Sequence, residues 1–445
     1  MKPKICLVLL LGLLGGLMAG NDSQNFFPYK YQKVRLKNGF SAILVPVQGS
    51  GLVAYYTVVR TGSRDEWEPG HTGFAHFFEH MMFRGTKKYP ARVYDKKLTE
   101  MGANANAYTT DDYTCFYMVV SGRNLPQVMD LESDRFQNLA YDESAFKTEA
   151  GAVYGEYRKG RVSPWSVLFE KLQDTAFLKH TYKHTTIGFE KDIKNMPNMY
   201  DYSRTFFQRY YRPENVVLLI VGDFDPETVK PLIKEKYGNW KPGYVAPKIQ
   251  PEPVQRRERF KEVKYSGRTL PILTLAYKGD AFKPADRIYA AGLLLADLAF
   301  GNNSDIYKKL VIRDQKVRFI SADYSFNRDP GLNLIYTMIK NEKDIPLVKT
   351  EIEKTIAKFK NTPVDETELN NLKKRDRYSF LMNLDTPGHI ASNLARIIAL
   401  TGGIDAVNTL YQTIQQVTPQ DVQAAAKKYF QKNHRTVVIL KGVQK

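Results

Sequence analysis

His76, Glu79 and His80 fall within His71-Thr-Gly-Phe-Ala-His-Phe-Phe-Glu-His-Met-Met-Phe-Arg-Gly-Thr86. Neither Gly nor Pro interrupts Phe74 to Arg84, and Gly73 and Gly85 bracket it, which predicts a helix of about three turns. Residues four apart on a helix face the same way, so both imidazoles can reach one metal ion. Glu79 shares that face, within reach of a water held by the ion. Phe77, Phe78, Met81 and Met82 cover the remaining faces. Two imidazoles and a carboxylate beside apolar surface are costly without a partner, and a metal would supply one. The plain alternative is an amphipathic helix whose histidines share a spacing by chance, since short motifs match often.

The elements around this helix are legible from pattern. Lys33 to Gly39 and Phe40 to Pro46 read as two strands about an Asn-Gly turn, and Leu52 to Arg60 as a third. A helix follows near Tyr94 to Met101. Ala103 to Tyr113, with Asn106, Ala107 and Thr109, then runs into a strand over Thr114 to Val120. Small residues alternating with Asn and Thr make a thin polar edge, which can accept an extended peptide by backbone pairing or be a plain surface turn. Leu125 to Leu139 and Glu143 to Arg158 read as helices. The second carries Glu149 and Glu156 on one face, two turns apart, where isolated carboxylates ordinarily face solvent. Met199 to Tyr210 is helical, and Val216 to Val221 is a strand.

With 445 residues, 43% hydrophobic content, 28 tyrosines and 24 phenylalanines, the chain can build two or three sizeable cores. Residues 1–20 read as a secretory signal peptide, Lys2 and Lys4 preceding the apolar run Ile5 to Met18 and the small pair Ala19-Gly20. That run is short for a membrane span, so no transmembrane span is expected in the mature chain; an uncleaved anchor is the alternative. Cys6 leaves with the leader, and Cys115 alone cannot form an internal disulfide. The net charge of +18 falls by two with Lys2 and Lys4. Its charges are spread, and no helix-turn-helix, zinc-finger or RNA-platform signature accompanies them, so no nucleic-acid partner is expected. Periplasmic or secreted localisation follows from the leader.

Four prolines (242, 247, 251 and 253) mark a linker over 241–256 between a first domain, 21–240, and a second, 257–445. The second half repeats the order of the first. Leu270 to Tyr277 is a strand, Asp286 to Phe300 a helix closed by Gly301, and Thr436 to Leu440 echoes Val216 to Ile220. Matching Gly85 to Gly301 puts Gly292, Leu295 and Ala296 where His76, Glu79 and His80 stand, so that half cannot hold a metal there.

His76-x-x-Glu79-His80 followed by Glu156 resembles the inverted-motif zinc peptidases of the insulinase/pitrilysin family. Gly73, Phe83-Arg-Gly-Thr86, Asn106-Ala-Tyr-Thr109, Tyr210-Tyr-Arg-Pro-Glu-Asn215 and Gly222-Asp-Phe-Asp-Pro226 support the resemblance across the mature chain. It implies an α+β fold of two related halves, each an antiparallel sheet with helices on one face, forming a clamshell. It implies Zn2+ held by His76, His80 and Glu156, Glu79 as catalytic base, and Glu149 as a carboxylate that orients a ligand or the water. Asn106, Ala107 and Thr109 would bind peptide substrate. Active single-chain members also carry an arginine and, seven residues on, a tyrosine in the second half. Here Val311 and Arg318 take those positions, while Arg313 and Tyr324 are near but out of spacing. The chain thus resembles the zinc-bearing subunit of a heterodimer whose paralogous partner supplies both. The rival expectation is a non-catalytic peptide-holding or scaffold subunit, which would not need Glu79.

Overall fold

The computed structural model describes residues 25–443, so the leader expected over 1–20 lies outside the described residues. The first sheet is built from β1 (Gln32–Arg35), β2 (Ser41–Pro46), β3 (Leu52–Val59), β4 (Asn104–Thr109), β5 (Thr114–Ser121) and β6 (Val216–Gly222). Its spatial order is β1-β2-β6-β3-β5-β4. The pairings are antiparallel except for β2 beside β6, which run parallel. Helices α1 (Phe74–Met81), α2 (Ala91–Glu100), α3 (Leu125–Asn138), α4 (Glu143–Gly160), α5 (Pro164–Ala176), α6 (Glu190–Asn195), α7 (Tyr200–Tyr210) and α8 (Pro226–Tyr237) fill the connections. The metal-helix pattern read over Phe74 to Arg84 divides into α1 and a 3₁₀ turn, Met82–Arg84.

The second sheet contains β7 (Arg259–Tyr265), β8 (Ile272–Lys278), β9 (Val317–Asp323), β10 (Leu332–Ile339) and β11 (Arg435–Gly442), in the order β7-β11-β8-β10-β9. Its helices are α9 (Arg287–Phe300), α10 (Asp305–Tyr307, passing into a π-helical turn over Lys308–Arg313), α11 (Ile345–Asn361), α12 (Glu366–Met382), α13 (Pro387–Thr401), α14 (Asp405–Gln416) and α15 (Pro419–Tyr429). Without β1, the first sheet has this same plan: a parallel pair, then three antiparallel neighbours, ending on an edge strand. β9 therefore corresponds to β4, and α9 to α1. The two halves are related, as the repeated pattern predicts.

Each half's own helices cover one face of its sheet, and the other half covers the second. α13 lays Ile390, Ala391, Leu394 and Ile398 on β3 and β6, against buried Tyr56 and Val58. In exchange α5 sets Val167, Leu168 and Leu172 on β7 and β11. Each large side chain so buried contributes roughly 1.5–3 kcal/mol, so the contact between the halves is core rather than surface. Polar ties add to it: Arg60 Nε donates to the Ala399 carbonyl at 2.8 Å. The proline-rich stretch is coil yet held in place, the Glu252 carboxylate accepting the Leu178 and Lys179 amides at 2.9 Å each. Among the described residues no single helix is long and apolar enough to cross a membrane.

Candidate metal centre

The start of α1 is set by its backbone. Gly73 has φ +94°, and a Cβ there would lie 2.7 Å from the Ile187 carbonyl oxygen, so only glycine fits. From this point Phe74, Phe77, Phe78 and Met81 turn into the first core, Phe78 stacking on Phe206 at 5.4 Å between ring centres. The opposite face carries the polar residues. His76 and His80 stand with ring centres 4.8 Å apart.

The long helix α4 packs along α1 and delivers Glu156. Its Oε2 lies 3.7 Å from His76 Nε2 and 3.5 Å from His80 Nε2. Donor atoms about 2.1 Å from a tetrahedral ion stand about 3.4 Å apart, so this trio fits an ion of that size with one position open. All three donor atoms fall within 4.8 Å of one another. Burial, and then the neighbouring His80, push His76 down to about 4, which keeps its imidazole neutral and its lone pair free at pH 7.

Glu149, two turns before Glu156, is buried rather than solvated. Its Oε1 lies 2.9 Å from His80 Nδ1, and Arg84 Nε donates to Oε2 at 2.7 Å. A proton on Nδ1 directed to Glu149 leaves the Nε2 lone pair facing Glu156. Burial alone would raise the Glu149 carboxyl, yet hydrogen bonds from His80 and Arg84 hold it below the usual range. Glu149→Gln is therefore expected to weaken metal binding or turnover about 10–100-fold without removing the site. Metal titration of the variant checks this, and an unchanged affinity and rate would reduce Glu149 to a packing residue.

Glu79 does not join the trio. Thr109 Oγ1 donates to its Oε2 at 2.6 Å, and burial lifts its carboxyl above the usual range against that bond. Thr109 ends β4, the sheet's edge strand, so Glu79 and that edge share one corner. Asn106 is exposed on that edge, and its Oδ1 accepts the Ala107 amide at 2.8 Å.

Among the described residues, the second half places no donor in the His76, His80 and Glu156 group. Gly292 on α9 lies under Tyr324, whose ring would be 2.3 Å from a Cβ there, so Tyr324 belongs to the second core. Arg313 is exposed and pairs with Asp314 at 2.8 Å. Arg318 is exposed and Val311 packs against the second core. Among the described residues, none of these four makes a hydrogen bond or ion pair to His76, Glu79, His80 or Glu156.

One residue escaped the sequence reading. Glu66 is fully buried and accepts the Gly73 amide at 2.7 Å and the Ala75 amide at 2.6 Å, capping α1 from outside the helix. No short-range pattern announces it, because it stands seven residues before Gly73 across a turn.

Residues 51–189 match the model of the insulinase family (peptidase family M16), and residues 199–375 match the M16 inactive domain. The zinc protease PqqE of Helicobacter pylori is 30% identical over 446 residues, covering 97% of this chain and 98% of that protein. The chain belongs to the M16 peptidase family. A solved protease from Helicobacter pylori superposes on this M16 chain with a TM-score of 0.87 at 27% identity, over 93% of this chain and 100% of that one. The periplasmic protease PqqL of Escherichia coli matches 93% of this chain but only 48% of its own, at 18% identity and a TM-score of 0.76. Its first half alone matches over 93% of both chains. PqqL thus has about twice the length of this fold.

Proposed function

We propose that this M16 chain is a zinc-dependent endopeptidase acting on extended peptides, in the periplasm or outside the cell. The observation that carries this reading is a set of three metal-donor atoms beside a carboxylate, Glu79, that is left out of the set and stands at an open strand edge. His76, His80 and Glu156 would hold Zn2+, which when bound lowers the pKa of water and polarises a carbonyl. The names of the relatives, zinc proteases among them, support that ion.

The chain's own residues account for the rest. Glu149 holds the His80 ring in one orientation and one tautomer. Glu79 takes the proton of the attacking water and passes it to the departing amine, and Thr109 keeps its carboxylate turned toward that position. The β4 edge pairs with the backbone of an unfolded peptide and leaves the sequence of that peptide free. Proline at Ala107 removes one amide from this edge and restricts its backbone. Ala107→Pro is expected to raise KM about tenfold or more, as a lost backbone pair of ~1.4 kcal/mol would, and to leave zinc content unchanged. Equal KM values for the two proteins would remove β4 from the substrate site.

The leader expected over 1–20 and the periplasmic neighbour PqqL support an extracytoplasmic location. Val311 and Arg318, in place of the arginine and tyrosine, support pairing with a paralogous subunit. PqqL, whose first half alone matches this chain, has room by length for a second such unit. Cleavage of a quenched unstructured peptide, lost on chelation and restored by zinc, tests the reading. Cleavage that continues without metal would overturn it.

A further inference from the structure

The short segment Gly62–Glu66 touches both the start of α1 and the turn after β4. At one end the Glu66 carboxylate caps α1, through Gly73 and Ala75. In its middle, Ser63 N donates to the Thr110 carbonyl at 3.3 Å and Arg64 N to the Asp111 carbonyl at 2.7 Å, fixing the turn that follows Thr109. A Cβ on Gly62 would be 2.4 Å from the Thr110 oxygen, so the approach is as close as backbone allows. These two contacts hold the base helix and the base's hydrogen-bond donor in one frame.

That frame is anchored in the second half. Asp329, in the loop between β9 and β10, accepts Arg64 Nε at 2.6 Å and lies 3.0 Å from His180 Nε2. Its neighbour Arg328 donates to the Arg60 and Asp112 carbonyls, at 3.0 and 2.9 Å, and stands 3.9 Å from buried Asp65. Asp112 in turn accepts the Arg328 amide at 3.1 Å and the Asn327 side chain at 3.0 Å. The loop 327–329 is thus plugged into the first half at the base of segment 62–66.

We infer that Arg328 and Asp329 of the second half are positioning residues for the metal helix, acting through the Gly62–Glu66 segment and ending on Glu66. A half that contributes no ligand and no base then still sets the geometry of both. This deepens the peptidase reading and rests on it for its meaning, but its test needs no peptide. Coupling through such a chain of contacts requires direct evidence at its far end.

The test uses the full-length zinc-loaded protein with Arg328→Ala and, separately, Glu66→Gln. Hydrogen–deuterium exchange is read at Asn327–Asp329, at Gly73–Ala75 and in β3, and zinc release to a chelator is timed. Arg328→Ala is expected to speed exchange at both the loop and Gly73–Ala75, to leave β3 protected, and to speed zinc release about tenfold, within the range for groups that orient ligands. Glu66→Gln keeps one acceptor oxygen but turns an amide toward the other N–H, so faster zinc release is expected with the 327–329 loop still protected. Faster exchange confined to Asn327–Asp329, with Gly73–Ala75 and zinc release unchanged, would overturn the proposal. If Arg328→Ala does not fold, Arg328→Lys retains the charge without the guanidinium fork, and the same outcomes decide. Failure of the peptidase reading would show separately, as absent cleavage with the exchange pattern intact.

Discussion

A Glu79→Gln chain is expected to bind zinc like the parent and to lose turnover about 10²–10⁴-fold, the usual contribution of a positioned acid–base group. Glutamine has the shape of glutamate and can still accept the Thr109 hydroxyl, so the corner of β4 and α1 keeps its packing. It is not among the three donors within 4.8 Å of one another, so the metal has no reason to leave. What glutamine cannot do is take a proton. The expected signature is a fall in kcat with KM and zinc content preserved. Turnover within a few-fold of the parent would mean that the base lies elsewhere.

The purified chain alone is expected to be nearly inert toward peptides, and to become active on mixing with an M16 chain that carries the arginine–tyrosine pair but lacks H-x-x-E-H. A single donor aimed at a developing oxyanion is worth about 10²–10³ in rate, so two missing donors leave little. Val311 packs in the second core and Arg318 points to solvent, and neither can replace the pair. The nearby candidates are no better placed. Tyr324 fills the space above Gly292, and Arg313 pairs with Asp314 on the surface. Assays with and without the candidate partner decide the matter. Full turnover by the chain alone, lost on Tyr324→Phe or Arg313→Ala, would contradict the subunit assignment.

The parts of the site legible in the sequence are those fixed by local spacing. The i, i+4 histidines and Glu79 needed only a helix, and glycines at both ends marked it. The seven-residue step from Glu149 to Glu156 put two carboxylates on one face, but could not say which would approach the histidines. That took α4 packing beside α1. The thin polar strand suggests Thr109 as a peptide contact, and only the packed structure shows that its hydroxyl also donates to Glu79. Glu66 leaves no periodic trace because it reaches α1 across a turn within the first half, and the exchange of α5 and α13 leaves none because it depends on which surfaces of the two halves meet. The repeated strand order conveys two related halves, but one parallel pair in each sheet appears only once β6 and β11 return to interior positions beside β2 and β7.

The most direct measurement is metal analysis of the purified chain and of the His76→Ala, His80→Ala double variant. One zinc per chain is expected in the parent, because three protein donors define one site, and none above background in the variant. Full zinc occupancy in the double variant would contradict the account.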